Sequence, residues 1–227
     1  MTKKIKKTRK VKFDWLNHSV NFVAIIIGVY LGFYMNERTK ANQNRQESLV
    51  LMNSLRTDLQ SDIESYESYQ IPENKRHQIN VSDLLNILLK DSLSGNEDQL
   101  STIFAVQNYE PSSATYSSMK SSGKLSLLND LPLQNELANF YEGFVLESID
   151  KGKSQVDFFS DELLPWYMNN LDFVSMQVLN GSELVVLRNK LIIYETLIDQ
   201  KVQSYEGIVR ESKALKNTID VLIAERE

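Results

Sequence analysis

Segment 112–122 holds the densest run of reactive side chains in this sequence: six Ser with Thr115, Tyr116 and Lys120, closed by Gly123. Hydroxyls and an ammonium at a helix end can hold an anion. Thr115, Tyr116, Lys120, Ser121, Ser122 and Gly123 therefore form a possible polar or ligand site. The plainer reading is a short capped helix, with Ser hydroxyls on backbone groups and Tyr116 and Met119 packed inward. A phosphate loop is excluded. Ser118 stands where its first Gly belongs, and Leu125 follows Gly123-Lys124 in place of Ser or Thr. The chain has no Cys, which removes thiolate metal sites, Cys nucleophiles, disulfides and lipid attachment at Cys. It has two His, His18 and His77. His77 lacks a second His at i+3 or i+4 and reads as a surface residue. Glu47, Glu64, Glu67, Glu147 and Glu211 each precede a Ser, but at the spacing of solvated helix faces. A lytic transglycosylase would also need Gly-rich and Asn-rich stretches that this sequence lacks. No catalytic residue, metal site or cofactor is expected.

The elements that would position these residues read as helices. Gly and Pro number 8 and 4 of 227 residues, about half their usual share. That disfavours turn-rich sandwiches and barrels. Charge is uneven. Residues 1–12 carry seven Lys or Arg and no acid, so with a total of −5 the remainder carries −12. Residues 16–35 follow without a single charge. Twenty helical residues span about 30 Å, the thickness of a bilayer core. The basic run thus reads as the cytoplasmic flank of a membrane span rather than a nucleic-acid arm, with Trp15 and Tyr34 as interfacial anchors. Glu37, Arg38 and Lys40 crowd the place of a cleavage site, so an uncleaved anchor is expected over a signal peptide. Ala24, Gly28 and Gly32 recur every fourth residue, with Asn21 and His18 in register, and suggest a helix-packing face.

Beyond the span, Met52, Leu55, Leu59, Ile63 and Tyr66 make one helical stripe, expected to end at Ile71-Pro72. A second helix is expected near 74–91, then a loop over 91–95 and a third helix capped by Asn96 with Gln99. Tyr109-Glu110-Pro111 breaks the pattern, and Pro132 opens the next helix, which Pro165 should kink or restart. After a loop at 180–182, apolar residues recur at steps of three and four from Leu184 to Leu222, with Ser212 on the stripe. The expected fold is all-α: a basic cytoplasmic tail (1–15), a transmembrane helix (16–35), a polar helical stalk (36–50) and an elongated antiparallel bundle of long helices (51–227).

Three features resemble an uncharacterised family of small single-span membrane proteins from Bacteroidota, a domain of unknown function. They are the basic end with one early span, the LRTDLQSDIESY helix at 55–66, and the segment ATYSSMKSSGKL at 114–125. Family members carry a similar Thr-Tyr-x-x-Leu-Lys-Ser-Ser-Gly-x-Leu stretch, with Met119 here in place of Leu. The resemblance implies an inner membrane and a periplasm, and no activity. With the positive-inside rule it puts the amino end in the cytoplasm and the body in the periplasm. The expected function is non-catalytic assembly, as a homo-oligomer or an accessory subunit of an envelope complex. Its partners would be the lipid bilayer and an identical chain or another membrane protein, with no nucleic acid. The alternative is a sensory or ligand-binding module that signals through a membrane partner.

Overall fold

The computed structural model describes residues 15–90, 93, 95–179 and 184–226. The basic tail at 1–14, the side chain of His18, most of the 91–95 loop and the loop at 180–182 lie outside the described residues. The chain divides into two units, 1–47 and 48–227.

In the first unit, the described residues belong to helix α1 (Trp15–Ser65), which continues into the second unit. The helical run Ser19–Leu89 is long and apolar enough to cross a membrane, with a mean hydropathy of 1.6 over its most apolar stretch. Phe22, Ile25, Ile26, Tyr30 and Phe33 are all exposed.

The second unit is an all-α bundle. Its first rod is the end of α1, a π turn at Tyr66–Gln70 and α2 (Ile71–Leu89). The expected stop at Ile71-Pro72 does not occur. The Ile71 N–H bonds to Tyr66 O, five residues back, and Pro72 falls in the first turn of α2. A widened turn relieves the clash of the Pro ring with the preceding turn, and the missing N–H costs nothing there. The same device recurs where Leu164 N bonds to Phe159 O directly before Pro165. The expected third helix is a 3-10 segment (Glu97–Phe104), followed by non-helical chain over 105–113. Then come α3 (Ala114–Ser121) and a second 3-10 segment (Lys124–Leu128).

Asp130 caps the next rod by accepting from Leu133 N at 2.8 Å. That rod joins α4 (Leu131–Asn139), α5 (Val145–Phe158) and α6 (Leu164–Asn170) through π turns at Phe140–Phe144 and Phe159–Leu163. Strands β1 (Leu171–Asp172) and β2 (Gln177–Val178) pair antiparallel in a small hairpin that the sequence pattern did not announce. The last rod is α7 (Leu184–Arg226), 43 residues long.

Ion pairs fix the directions of the rods. Arg56 meets Asp220 at 3.6 Å, Glu67 meets Lys213 at 2.6 Å and Lys75 meets Glu206 at 2.6 Å, so the first rod is antiparallel to α7. Lys151 donates to Gln200, and Glu162 pairs with Lys190, so α5 and its neighbours are antiparallel to α7 as well. The first and third rods are therefore parallel, and residues 97–128 must return along the bundle between them. They do. Leu100 and Ile103 pack in one apolar cluster with Val81, Leu88, Leu187 and Leu191. Tyr116, Met119 and Leu128 pack in the other with Met52, Leu137, Leu215 and Ile219. The result is an up-down-up-down bundle whose second member is irregular.

Candidate functional site

An irregular chain inside a bundle has a backbone problem. Its N–H and C=O groups lack the partners that a helix supplies, and leaving them unpaired away from water costs about 1–3 kcal/mol each. The neighbouring rods answer with polar side chains placed on their apolar stripes, in a layer between the two clusters.

From α7, Lys201 is 0% exposed, and its ammonium donates to Gln107 O at 2.5 Å and to Gln155 Oε1 on α5. Tyr205 OH accepts from Tyr109 N at 3.1 Å and lies 3.2 Å from Asn108 Oδ1 as a donor. From α1, Asp62 is 2% exposed and accepts from Tyr109 OH at 2.8 Å and from Ser112 N at 3.0 Å. Gly152 of α5 completes the seat. A Cβ built there would lie 2.1 Å from Asn108 Oδ1, so only Gly lets the Asn108 side chain in.

The hydrogen bonds continue past Lys201 in one sense. Lys201 fixes Gln155 with its oxygen toward the ammonium, so the Gln155 amide donates to Tyr194 OH at 3.0 Å. The Tyr194 hydroxyl also hydrogen-bonds with His77 Nε2, at 3.1 Å. His77 Nδ1 has no hydrogen-bond partner among the described residues. Burial, with Lys201 nearby, lowers the His77 pKa to about 4, so the ring is neutral. Burial alone lowers Lys201 to about 7. Burial raises Asp62, against the lowering pull of its bonds from Tyr109 and Ser112. The layer thus combines a lysine that titrates near neutrality with a relay ending on a neutral histidine. Among the described residues, no group of three His, Cys, Asp or Glu converges to hold a metal.

His77 corrects the surface assignment: it is 3% exposed. Its signal was available, because it precedes Val81 by one turn on the buried face of α2. Lys201 and Asp62 were missed for the same reason. Each sits a turn before an aromatic of the stripe, Tyr205 and Tyr66, and polarity disguised both as surface. Ser212, which did stand out on the stripe, is fully buried, and its hydroxyl has no partner among the described residues.

The Ser-rich segment is differently built. Tyr116 is buried, stacks on Tyr141 with centroids 4.6 Å apart, and bonds to Glu142. Lys120 Nζ lies 2.5 Å from the same Glu142 oxygen. Those contacts, with the bond from Tyr116, hold the Glu142 carboxyl below its usual range. Ser121 and Ser122 donate to Ser118 O, at 3.2 and 2.7 Å. Thr115 is half-buried, and Gly123 ends α3 at φ +72°. Tyr116 and Lys120 meet on Glu142, while the Ser hydroxyls turn back onto their own helix. In the first unit, Asn21, Ala24, Gly28 and Gly32 are exposed, and among the described residues nothing lies within 4 Å of a Cβ built on either Gly.

Neither the curated proteins nor the solved structures contain a match to this chain. Residues 21–196, from the apolar stretch of α1 into the first third of α7, match the profile of DUF6090, a family of unknown function. The match takes in both units, all of the polar layer up to Tyr194, and the Ser-rich segment. The chain belongs to the DUF6090 family.

Proposed function

We propose that this protein is a non-catalytic, membrane-anchored assembly protein. Its span lies in the inner membrane of a Bacteroidota cell, with the amino end in the cytoplasm and the bundle in the periplasm. It works as a homo-oligomer or as an accessory subunit of an envelope complex. The observation that carries this reading is the bare apolar surface of α1. Phe22, Ile25, Tyr30 and Phe33 are 64–68% exposed and ask for lipid or another helix. The seven basic residues before the span support the orientation. Compartment-specific reporters fused to the carboxyl end test it. A periplasm-active, cytoplasm-silent fusion in the membrane fraction is expected, and the reverse pattern rejects the topology.

One observation favours a second reading, a sensory module acting through a membrane partner. The polar layer holds residues 107–112 by side chains that titrate, so a change in their charge can loosen that segment. Hydrogen exchange of amides 105–113 between pH 6 and pH 8 tests this. Exchange that follows only the intrinsic chemical rate removes the reading.

A further inference from the structure

The end of the bundle where α2 finishes and α7 begins carries an apolar cap. Leu89 of α2, Met168 of α6, Phe173 and Val174 in the hairpin turn, Leu179 just after it and Val185 of α7 are 46–96% exposed. Turns usually hold Gly, Asn, Asp, Pro or Ser. This one holds Phe173, Val174, Ser175 and Met176. Val174 is 96% exposed, so packing among the described residues does not call for an apolar side chain there. The turn is firmly seated. Leu171, Met176 and Val178 join the cluster of Leu88 and Leu187, and Phe173 lies against Phe104 with ring centroids 6.0 Å apart. Residues 163–182 contain a single charged residue, Asp172, in a chain that is 24% charged. Its carboxylate turns back onto the hairpin, where it accepts from Val174 N at 2.9 Å and from Ser175 Oγ at 2.6 Å. At the opposite end of the bundle the chain enters at Ser48, whose hydroxyl accepts from Arg226 at 3.1 Å. At about 1.5 Å per residue, the rod from 48 to 89 sets the two ends about 60 Å apart.

We propose that this cap docks on a lipid surface, the face of a second bilayer rather than the one that holds α1. The inference rests on the membrane-anchored reading above and adds a second contact, at the far end of the bundle. Lipid is the occupant that the chemistry of the cap fits. Its apolar side chains come from the ends of α2 and α6, the hairpin and the start of α7, and they surround a projecting turn. That makes a convex cap, not a groove shaped for a helix or a strand. Taking a free charge into a bilayer is costly, and the one carboxylate of the hairpin is already satisfied within it. The same lack of free charge gives a protein partner little by which to be oriented. Asn169, Ser175 and Gln177 are exposed among the apolar residues, and their uncharged groups can hydrogen-bond at headgroup depth. Apolar side chains that enter the boundary of headgroups and acyl chains bind in proportion to the area they bury. A contact of this kind takes neutral lipid and is insensitive to salt.

The native chain has no Cys, so a single introduced one reports on the cap. Val174→Cys and, as the control, Ser154→Cys at an exposed position of α5 are made in the full chain, labelled with the environment-sensitive dye NBD and held in nanodiscs. Vesicles of phosphatidylethanolamine and phosphatidylcholine are then added. Emission at position 174 should rise severalfold and shift to the blue, while emission at 154 stays unchanged. The rise should persist from about 0.05 to about 0.5 M salt. Val174→Ser combined with Leu179→Ser, both at exposed positions, should cut co-flotation of the nanodiscs with the vesicles severalfold and leave the circular dichroism unchanged. No change at 174, an equal change at 154, or binding that needs anionic lipid and fades with salt overturns the proposal. So does a blue-shifted label at 174 before vesicles are added, since the cap would then lie in the bilayer that holds α1. A response only to vesicles reconstituted with envelope proteins assigns the cap to a protein and overturns the proposal too. The compartment reporters described above separate the two ideas. A periplasmic body whose cap ignores vesicles rejects the cap alone, whereas a cytoplasmic body rejects the topology whatever the cap binds.

Discussion

Lys201 shows how one buried residue can be structural and conditional together. Its hydrogen bonds satisfy Gln107 O and Gln155 Oε1, yet burial disfavours its charge and lowers its pKa to about 7. The unfolded chain holds the proton up to about pH 10.4. Between those values the unfolded state binds more protons, so stability from this group rises with pH. Lys201→Met loses the two bonds but also the buried ammonium. Thermal melts of the full chain in mild detergent should therefore show a loss that is larger at pH 9 than at pH 6.5. His77 acts in the acid window. Its folded pKa of about 4 lies below the unfolded 6.5, so its contribution is complete above pH 6.5 and lost as pH falls toward 4. His77→Gln should flatten the melting temperature over that interval, and an unchanged slope would mean that the ring is not buried as a neutral base. Ser212 gives the opposite kind of test. Its hydroxyl is buried without a partner among the described residues, so Ser212→Ala should be neutral or stabilising by up to about 1 kcal/mol. Gly152→Ala should destabilise by about 1–3 kcal/mol, because the new methyl meets Asn108.

At the scale of elements, periodicity revealed the rods and concealed their joints. The stripes of α1, α2 and α7 were legible because a run of Leu, Ile and Tyr at steps of three and four has one simple explanation, a buried helix face. Lys201, His77 and Asp62 lie on those same stripes, but a polar residue in a stripe looks like a gap until the chain it must satisfy is known. That chain, 105–113, is distant in sequence, so local pattern could not disclose it. The Ser-rich segment stood out by composition, whereas the polar layer is assembled from single residues on four members of the bundle. The π turns had no periodic signal: Tyr66, Gln70 and Asn74 advance by four and four across the turn at Ile71-Pro72, as Leu55, Leu59 and Ile63 do inside regular α-helix. Deleting the exposed Tyr69 should convert this turn to α-helix and drive the Pro72 ring into the preceding carbonyl. The deletion should cost about 3 kcal/mol more with Pro72 than with Pro72→Ala in a double-mutant cycle read by chemical denaturation. Additive effects would show that the widened turn does not exist to accommodate the proline.

At the scale of the whole bundle, the polar layer divides one elongated core into two. Leu191 and Ile198 belong to the cluster with Val81, Leu100 and Tyr167, whereas Ile208, Leu215 and Ile219 belong to the cluster with Met52, Leu137 and Tyr141. Apolar packing transmits a local loss of contact to its neighbours, but the layer between the clusters is held by directional hydrogen bonds of its own. The two halves should therefore open as separate cooperative units. Leu191→Ala removes a fully buried side chain from one cluster and should destabilise that half by about 2–5 kcal/mol. Hydrogen exchange of the full chain in mild detergent should then show faster exchange over 81–104, 163–178 and the first third of α7. Amides over 52–66, 133–145 and 208–223 should keep their wild-type protection. Because α7 runs through both clusters, the boundary should fall within that one helix, near Lys201, where the protection profile steps rather than declines smoothly. Uniform loss of protection along α7 would show that the layer couples the clusters instead of separating them, and the bundle would then be a single cooperative core with a polar belt.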